Sequence, residues 1–202
     1  MGQDDHVSTV SPPSERVVAI LEAACRVIVR EGAHGLRMAA VAAEAGVSKA
    51  LVHYYFATRR DLLRSAFSWS EERWRVALAE RLAGVKSGAE RVEQALLMSV
   101  DPAEPFAGHR ALWNEVWSSL RFDDELRPLV EASYREWLDR LAELVREGRA
   151  DGSVDGSVDP VATAWRLAAL GDGIDSVLYL QLLGLKKAQT LLRDGISLEL
   201  TR

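Results

Sequence analysis

A single cysteine, Cys25, excludes an internal disulfide, and its place in an apolar-periodic segment makes it most simply a small core residue. Proline and glycine are few, 6 and 14 in 202 residues, and they stand mostly between periodic segments, so they punctuate the chain instead of pervading it. No apolar stretch approaches the ~20 residues that cross a bilayer. The run from Val177 to Leu185 is among the longest, so no membrane span and no membrane partner are expected. The opening MGQDDHVSTVSPP has neither the basic start nor the apolar segment of a secretory signal, which points to the cytoplasm. The four histidines, His6, His34, His53 and His109, are scattered without a second ligand at metal spacing. Neither Ser-His-Asp logic nor a glycine-rich phosphate loop is present, so no enzyme, metal or cofactor is expected.

What remains is helical material. Apolar residues make up 48% of the chain, enough for a sizeable core, and Ala, Leu, Arg and Glu dominate. Ser11 or Ser14 is placed to cap a helix running to Glu31, in which Val17, Ile20, Leu21, Ala24, Cys25 and Ile28 recur at three- and four-residue spacing. Two short segments follow, Met38 to Ala45 and Ser48 to Phe56, around Gly46. Thr58-Arg59-Arg60-Asp61 reads as a capping box opening a long helix to Gly84, and Ser87-Gly88-Ala89-Glu90 as a second, opening a helix to Asp101. Further helices are expected from Pro105 to Phe122, Asp124 to Gly148, Pro160 to Leu185 and Lys187 to Leu198. The expectation is an all-α chain of about nine helices: a disordered arm over 1–13, a three-helix unit over 14–58, and a helical bundle over 59–202.

The net charge of −5 divides unevenly. Residues 1–66 carry eight basic and seven acidic side chains, and residues 67–202 carry seventeen and twenty-three. Within 37–64, Arg37, Lys49, Arg59, Arg60 and Arg64 outnumber Glu44 and Asp61, a local positive patch compatible with a nucleic-acid partner.

The informative stretch is Gly35–Leu63, GLRMAAVAAEAGVSKALVHYYFATRRDLL. Gly46 supplies a positive φ for a sharp turn, Val47 plugs that turn into the core, and Ser48 caps the second helix. At ~100° per residue, Val52 and Phe56 point inward while Lys49, Ala50, His53 and Tyr54 share the opposite face. Ala45-Gly46-Val47-Ser48, then Tyr54-Tyr55-Phe56, then Thr58-Arg59 and Leu62-Leu63, resemble the helix-turn-helix of the TetR family, in register from Val17 to Leu63. The resemblance implies a double-stranded DNA operator as partner. Lys49, as a donor, and small Ala50 are the expected readers of base edges, with Leu51 a further DNA contact or simply half-buried; the resemblance assigns the DNA backbone to Ser48, His53, Tyr54, Tyr55 and Arg59. Two departures stand out: Arg37 replaces the usual capping Thr and is expected to take a phosphate, and Ala39 replaces a common base-contacting cation.

A reading unit of ~60 residues leaves 140 for something else. ALWNEVWSSLRFDDELRP (111–128), Tyr134-Arg135-Glu136-Trp137 and Leu170-Gly171-Asp172-Gly173-Ile174 resemble the C-terminal domain of the BetI-like subgroup. That resemblance implies a homodimer, with Leu178, Leu182, Leu185, Leu191, Leu192 and Ile196 as its surface or, alternatively, as the monomer's own core. Trp113 and Trp117 share one helix face, and Tyr134 and Trp137 another. With Trp165, Asp172 and Asp175 they are the candidate pocket for a small hydrophobic or cationic effector, although aromatic pairs at this spacing also serve as core. The expected function is a ligand-responsive, sequence-specific transcriptional regulator, most simply a repressor on a palindromic operator. The alternative is a helical binding or adaptor protein without DNA function.

Overall fold

The computed structural model describes residues 14–103, 105–121 and 124–201, with only the backbone at 125; the expected arm over 1–13 lies outside the described residues. Among the described residues there are nine α-helices and no strand: α1 Glu15–Glu31, α2 Met38–Glu44, α3 Lys49–Tyr55, α4 Arg59–Leu82, α5 Gly88–Leu97, α6 Phe106–Ser119, α7 Arg127–Asp151, α8 Pro160–Tyr179 and α9 Leu185–Leu200. Short 3₁₀ turns, Met98–Val100 and Asp124–Leu126, extend α5 and lead into α7. No described helix is long and apolar enough to cross a membrane.

The helix starts follow local chemistry. Ser14 accepts from the Val17 N–H, Ser48 from Leu51, and Asp159 from Val161 and Ala162. At α4 the box is complete: the Asp61 N–H donates to Thr58 Oγ1 at 3.1 Å, and the Thr58 N–H donates back to Asp61 Oδ2 at 3.0 Å. At α5 only half of the expected box forms. Ser87 accepts from the Glu90 N–H, but the neighbouring donors go elsewhere, Gly88 to Asp151 and Ala89 to Ser153, which tie α5 to the end of α7.

Two helix ends differ from expectation. Gly148 does not stop α7, which continues to Asp151 and ends on left-handed Gly152; Gly148 instead lies where the backbone of Gly88 comes into contact. Helix α8 stops at Tyr179, short of the expected Leu185. Gln181 takes a φ of +57°, the Gln181 N–H bonds Leu178 O and the Leu182 N–H bonds Val177 O, the pattern of a Schellman end.

The apolar side chains gather into two clusters. One joins α5, α7, α8 and α9 around Leu96, Leu141, Leu144, Leu167 and Leu192. The other holds α1, α2 and α3 together, but it is not closed by those helices alone. Leu62, Leu63, Ala66 and Phe67 of α4, Leu112 and Val116 of α6, and Leu126 and Val130 complete it. Each such fully buried side chain contributes roughly 1.5–3 kcal/mol. The three-helix unit is therefore fastened directly to α4 and α6.

This packing corrects part of the expected dimer surface. Leu192 and Ile196 are buried in the subunit's own core, because the inward stripe of α9 runs through Ala188, Leu192, Ile196 and Leu200. Leu178, Leu185 and Leu191 are half-buried against the same core, whereas Leu182 is exposed. The large apolar side chains left outside on α8 and α9 include Val161, Trp165 and Leu198, which the leucine pattern missed.

Candidate functional site

The α2–α3 turn is built by hydrogen bonds. Gly46 has a φ of +67°, its N–H donates to Ala43 O, and the Val47 N–H donates to Ala42 O. A Cβ at Gly46 would touch nothing within 4 Å, so glycine is required there for its backbone conformation and not for space. Val52 and Phe56 are buried, and Val47 packs against the same cluster. Lys49, Ala50, His53 and Tyr54 are exposed, with Leu51 and Tyr55 half-buried beside them. Tyr54 is 80% exposed, its ring edge-on to Tyr55 at 5.0 Å.

Two arginines differ in their freedom. Arg37 is the N-cap residue of α2, gives that helix no side-chain cap and is exposed. Arg59 is engaged: its Nε donates to Leu36 O at 2.9 Å and its Nη2 to Ala33 O. In this way the first residue of α4 grips the α1–α2 connection. The guanidinium is drawn there because two carbonyls beyond the end of α1 need donors.

Helix α6 has two working faces. Leu112 and Val116 enter the cluster beneath α1–α3, while His109, Arg110, Trp113, Asn114 and Trp117 line a cavity of about 280 Å³. The other walls are Glu71 and Trp74 of α4, Ser133, Tyr134 and Trp137 of α7, and Asp172 and Asp175 of α8. Six of the residues read as a pocket from the sequence thus meet around one space. Trp165 does not line it; it is 56% exposed, with its ring 6.5 Å from that of Tyr134. Glu71, Trp74 and His109 were not anticipated, because nothing in their local spacing marks them.

The aromatic side chains form two groups. Trp113 lies 5.9 Å from Trp117 and 6.3 Å from Tyr134 between ring centroids, Trp74 meets Trp137 edge-on at 5.0 Å, and His109 stacks on Trp74 at 5.7 Å. Glu71 accepts from Trp113 Nε1 at 2.6 Å and from Ser133 Oγ, with His109 Nε2 3.4 Å away. His109 also meets Ser70 Oγ at 3.0 Å through Nδ1. Burial pushes its pKa down to about 3, so at neutral pH it brings no charge to Glu71.

Asp172 accepts from Tyr134 Oη at 2.6 Å. Asp175 accepts from Asn114 and sits 3.0 Å from Arg110 Nε, an ion-pair distance without hydrogen-bond alignment at that oxygen. Desolvation raises all three carboxyls above their ordinary values, and the neutral donors partly offset it. Three acids against one arginine, among aromatic faces, suit a cation.

Cys25 is half-buried, its Sγ 3.6 Å from Ala66 O, and desolvation pushes its thiol pKa up to about 12. The folded protein is expected to resist thiol-reactive dyes at neutral pH and to react on denaturation. Rapid labelling of the native chain would contradict this. Among the described residues, no group of three or more His, Cys, Asp or Glu is placed to hold a metal.

Comparison with known proteins agrees with this architecture at both ends. The model for bacterial regulatory proteins of the tetR family matches residues 20–66, and that for the BetI-type transcriptional repressor C-terminal domain matches 88–201. A solved structure from Rhodococcus sp., described as a TetR-family transcriptional regulator, is 28% identical with a TM-score of 0.84, over 94% of this chain and 100% of that one. A transcriptional regulator from Saccharomonospora viridis in complex with choline is also 28% identical, with a TM-score of 0.81, over 92% and 97%. FadR from Bacillus subtilis in complex with stearoyl-CoA shares the fold at 20% identity and a TM-score of 0.72, over 91% and 97%. No curated protein sequence matches significantly. With one family model on the helix-turn-helix and another across most of the remaining helices, the chain is a member of the TetR family of transcriptional regulators with a BetI-type C-terminal domain.

Proposed function

We propose that this protein is a ligand-responsive repressor that binds a palindromic operator as a homodimer and is released by a small organic cation. The observation that carries the proposal is the double duty of α6: one face lines the aromatic, acid-bearing cavity and the other is part of the core under the reading helices. A ligand that shifts α6 through Trp113 or His109 shifts Leu112 and Val116 as well, because all four ride on one helix. The DNA-competent arrangement is then disfavoured by the ligand's differential affinity for the two states. The relative in complex with choline supports a cation over a purely hydrophobic effector.

On the DNA side, Lys49 and Ala50 are assigned to base edges, Leu51 to the same surface, and Arg37, Ser48, His53, Tyr54, Tyr55 and Arg59 to phosphates. Dimerisation through α8 and α9, with Leu182, Val161, Trp165 and Leu198 as its exposed apolar surface, would set two α3 helices about one turn of DNA apart.

The first test is selection of genomic fragments by the purified protein, with and without choline. Enrichment of a short palindrome that choline abolishes is the expected result. A folded dimer that enriches nothing in either condition would remove the DNA-binding reading. On the selected operator, Lys49→Ala should relax preference at its contacted positions by about 1–3 kcal/mol, whereas Tyr54→Ala should weaken all sequences by similar factors. Unchanged discrimination in the first variant, or a loss confined to one sequence in the second, would reverse the respective assignment.

A further inference from the structure

The proposed cation site holds more negative charge than a single cation can answer. Among the described residues, neither Glu71 nor Asp172 has a lysine or arginine within ion-pair distance; Arg110 is committed to Asp175. Both unanswered carboxylates are held by neutral donors, which fix their positions without cancelling their charge. Glu71 is fixed by Trp113 Nε1 and Ser133 Oγ, and Asp172 by the Tyr134 hydroxyl.

These anchors stand side by side. Ser133 and Tyr134 are consecutive on α7, and the Trp113 and Tyr134 rings, 6.3 Å apart, join one carboxylate to the other along a single aromatic wall. A ligand with one positive centre would pair with one carboxylate and leave the other without a countercharge.

We propose that the ligand of this cavity carries two positive centres joined by a short aliphatic spacer, one centre at Glu71 and the other at Asp172, the spacer lying along Trp113 and Tyr134. Each ammonium gains a carboxylate and an aromatic face, and the methylenes cover ring surface. A volume of about 280 Å³ suits small diamines or bis-ammonium compounds. This inference rests on the cation reading above and can fail without it.

The test is isothermal titration of the full-length protein with diaminobutane, with its singly charged counterpart butylamine, and with choline, at one ionic strength. Diaminobutane should bind roughly tenfold or more tightly than either. Asp172→Asn, at the open side of the cavity, should bring diaminobutane down to the affinity that butylamine shows for the same variant. Helicity measured by circular dichroism controls for folding. Should Asp172→Asn misfold, Glu71→Gln offers the same comparison, since the amide oxygen still accepts from Trp113. Equal affinity for the two amines, or choline binding tighter than the diamine, would overturn the two-centre proposal and leave the cation reading standing. Failure of all three to bind would overturn both.

Discussion

Gly88→Ala is expected to lower stability by about 3 kcal/mol or more, at the upper end of what overpacking costs. A Cβ at that position would lie 2.2 Å from Gly148 N and 2.3 Å from Gly148 Cα, and both of these are backbone atoms that no rotamer change can move. The first turn of α5 is meanwhile pinned to the end of α7 by the Gly88 N–H on Asp151 at 2.7 Å and the Ala89 N–H on Ser153 at 3.0 Å. The helices can separate only by giving up those bonds and opening the core around Leu96, Leu141 and Leu144. For a chain of this size, the melting temperature should fall by roughly 6–12 °C. Gly156→Ala is the control, since a Cβ there meets nothing within 4 Å. A melting temperature for Gly88→Ala matching the control would show that the two glycines do not set the α5–α7 separation.

Phe67→Ala is expected to cost about 3–5 kcal/mol, and it should do more than destabilise. Phe67 is fully buried in the cluster beneath α1–α3, and its ring meets Trp113, a wall of the cavity, edge-on at 5.4 Å. It thus touches both the three-helix unit and the cavity wall from α4. Because the alanine variant risks unfolding, Phe67→Leu serves as its partner: it keeps most of the apolar volume and removes the ring contact. The measurement is operator affinity with and without the cation, together with a thermal melt. Phe67→Leu should fold, bind DNA and bind ligand, yet show a reduced effect of ligand on DNA affinity. A full ligand response in Phe67→Leu would move the coupling to the Leu112–Val116 face of α6 alone.

Much of the architecture was legible because it is set by neighbours in the chain. Ser48, Thr58 and Asp159 cap the helices they precede, and the Gly46 turn and the inward Val52–Phe56 pair follow from a few contiguous residues. The aromatic pairs Trp113–Trp117 and Tyr134–Trp137 were legible for the same reason, since helical period puts each pair on one face. Helical period does not reveal which face meets which. It marked a leucine stripe on α9 but not that Leu192 and Ile196 turn into the subunit while Leu198 turns out. It gave no reason to single out Arg59, whose partners Ala33 and Leu36 are more than twenty residues earlier.

Glu71 shows the boundary between the two kinds of information. In sequence it is one acid in a charged helix; in the fold its carboxylate accepts from a tryptophan 42 residues away and a serine 62 residues away. The sequence by itself determined the class, the nine helices of the described residues, the caps at Ser14, Ser48, Thr58 and Asp159, and the Gly46 turn, because these depend on dihedral preferences and hydrogen bonds within a few residues. The tertiary structure alone decided that α4, α6, α7 and α8 bring three carboxyls and one arginine to a single cavity. That property arises where distant helices pack and water is excluded, and no single stretch of chain carries it.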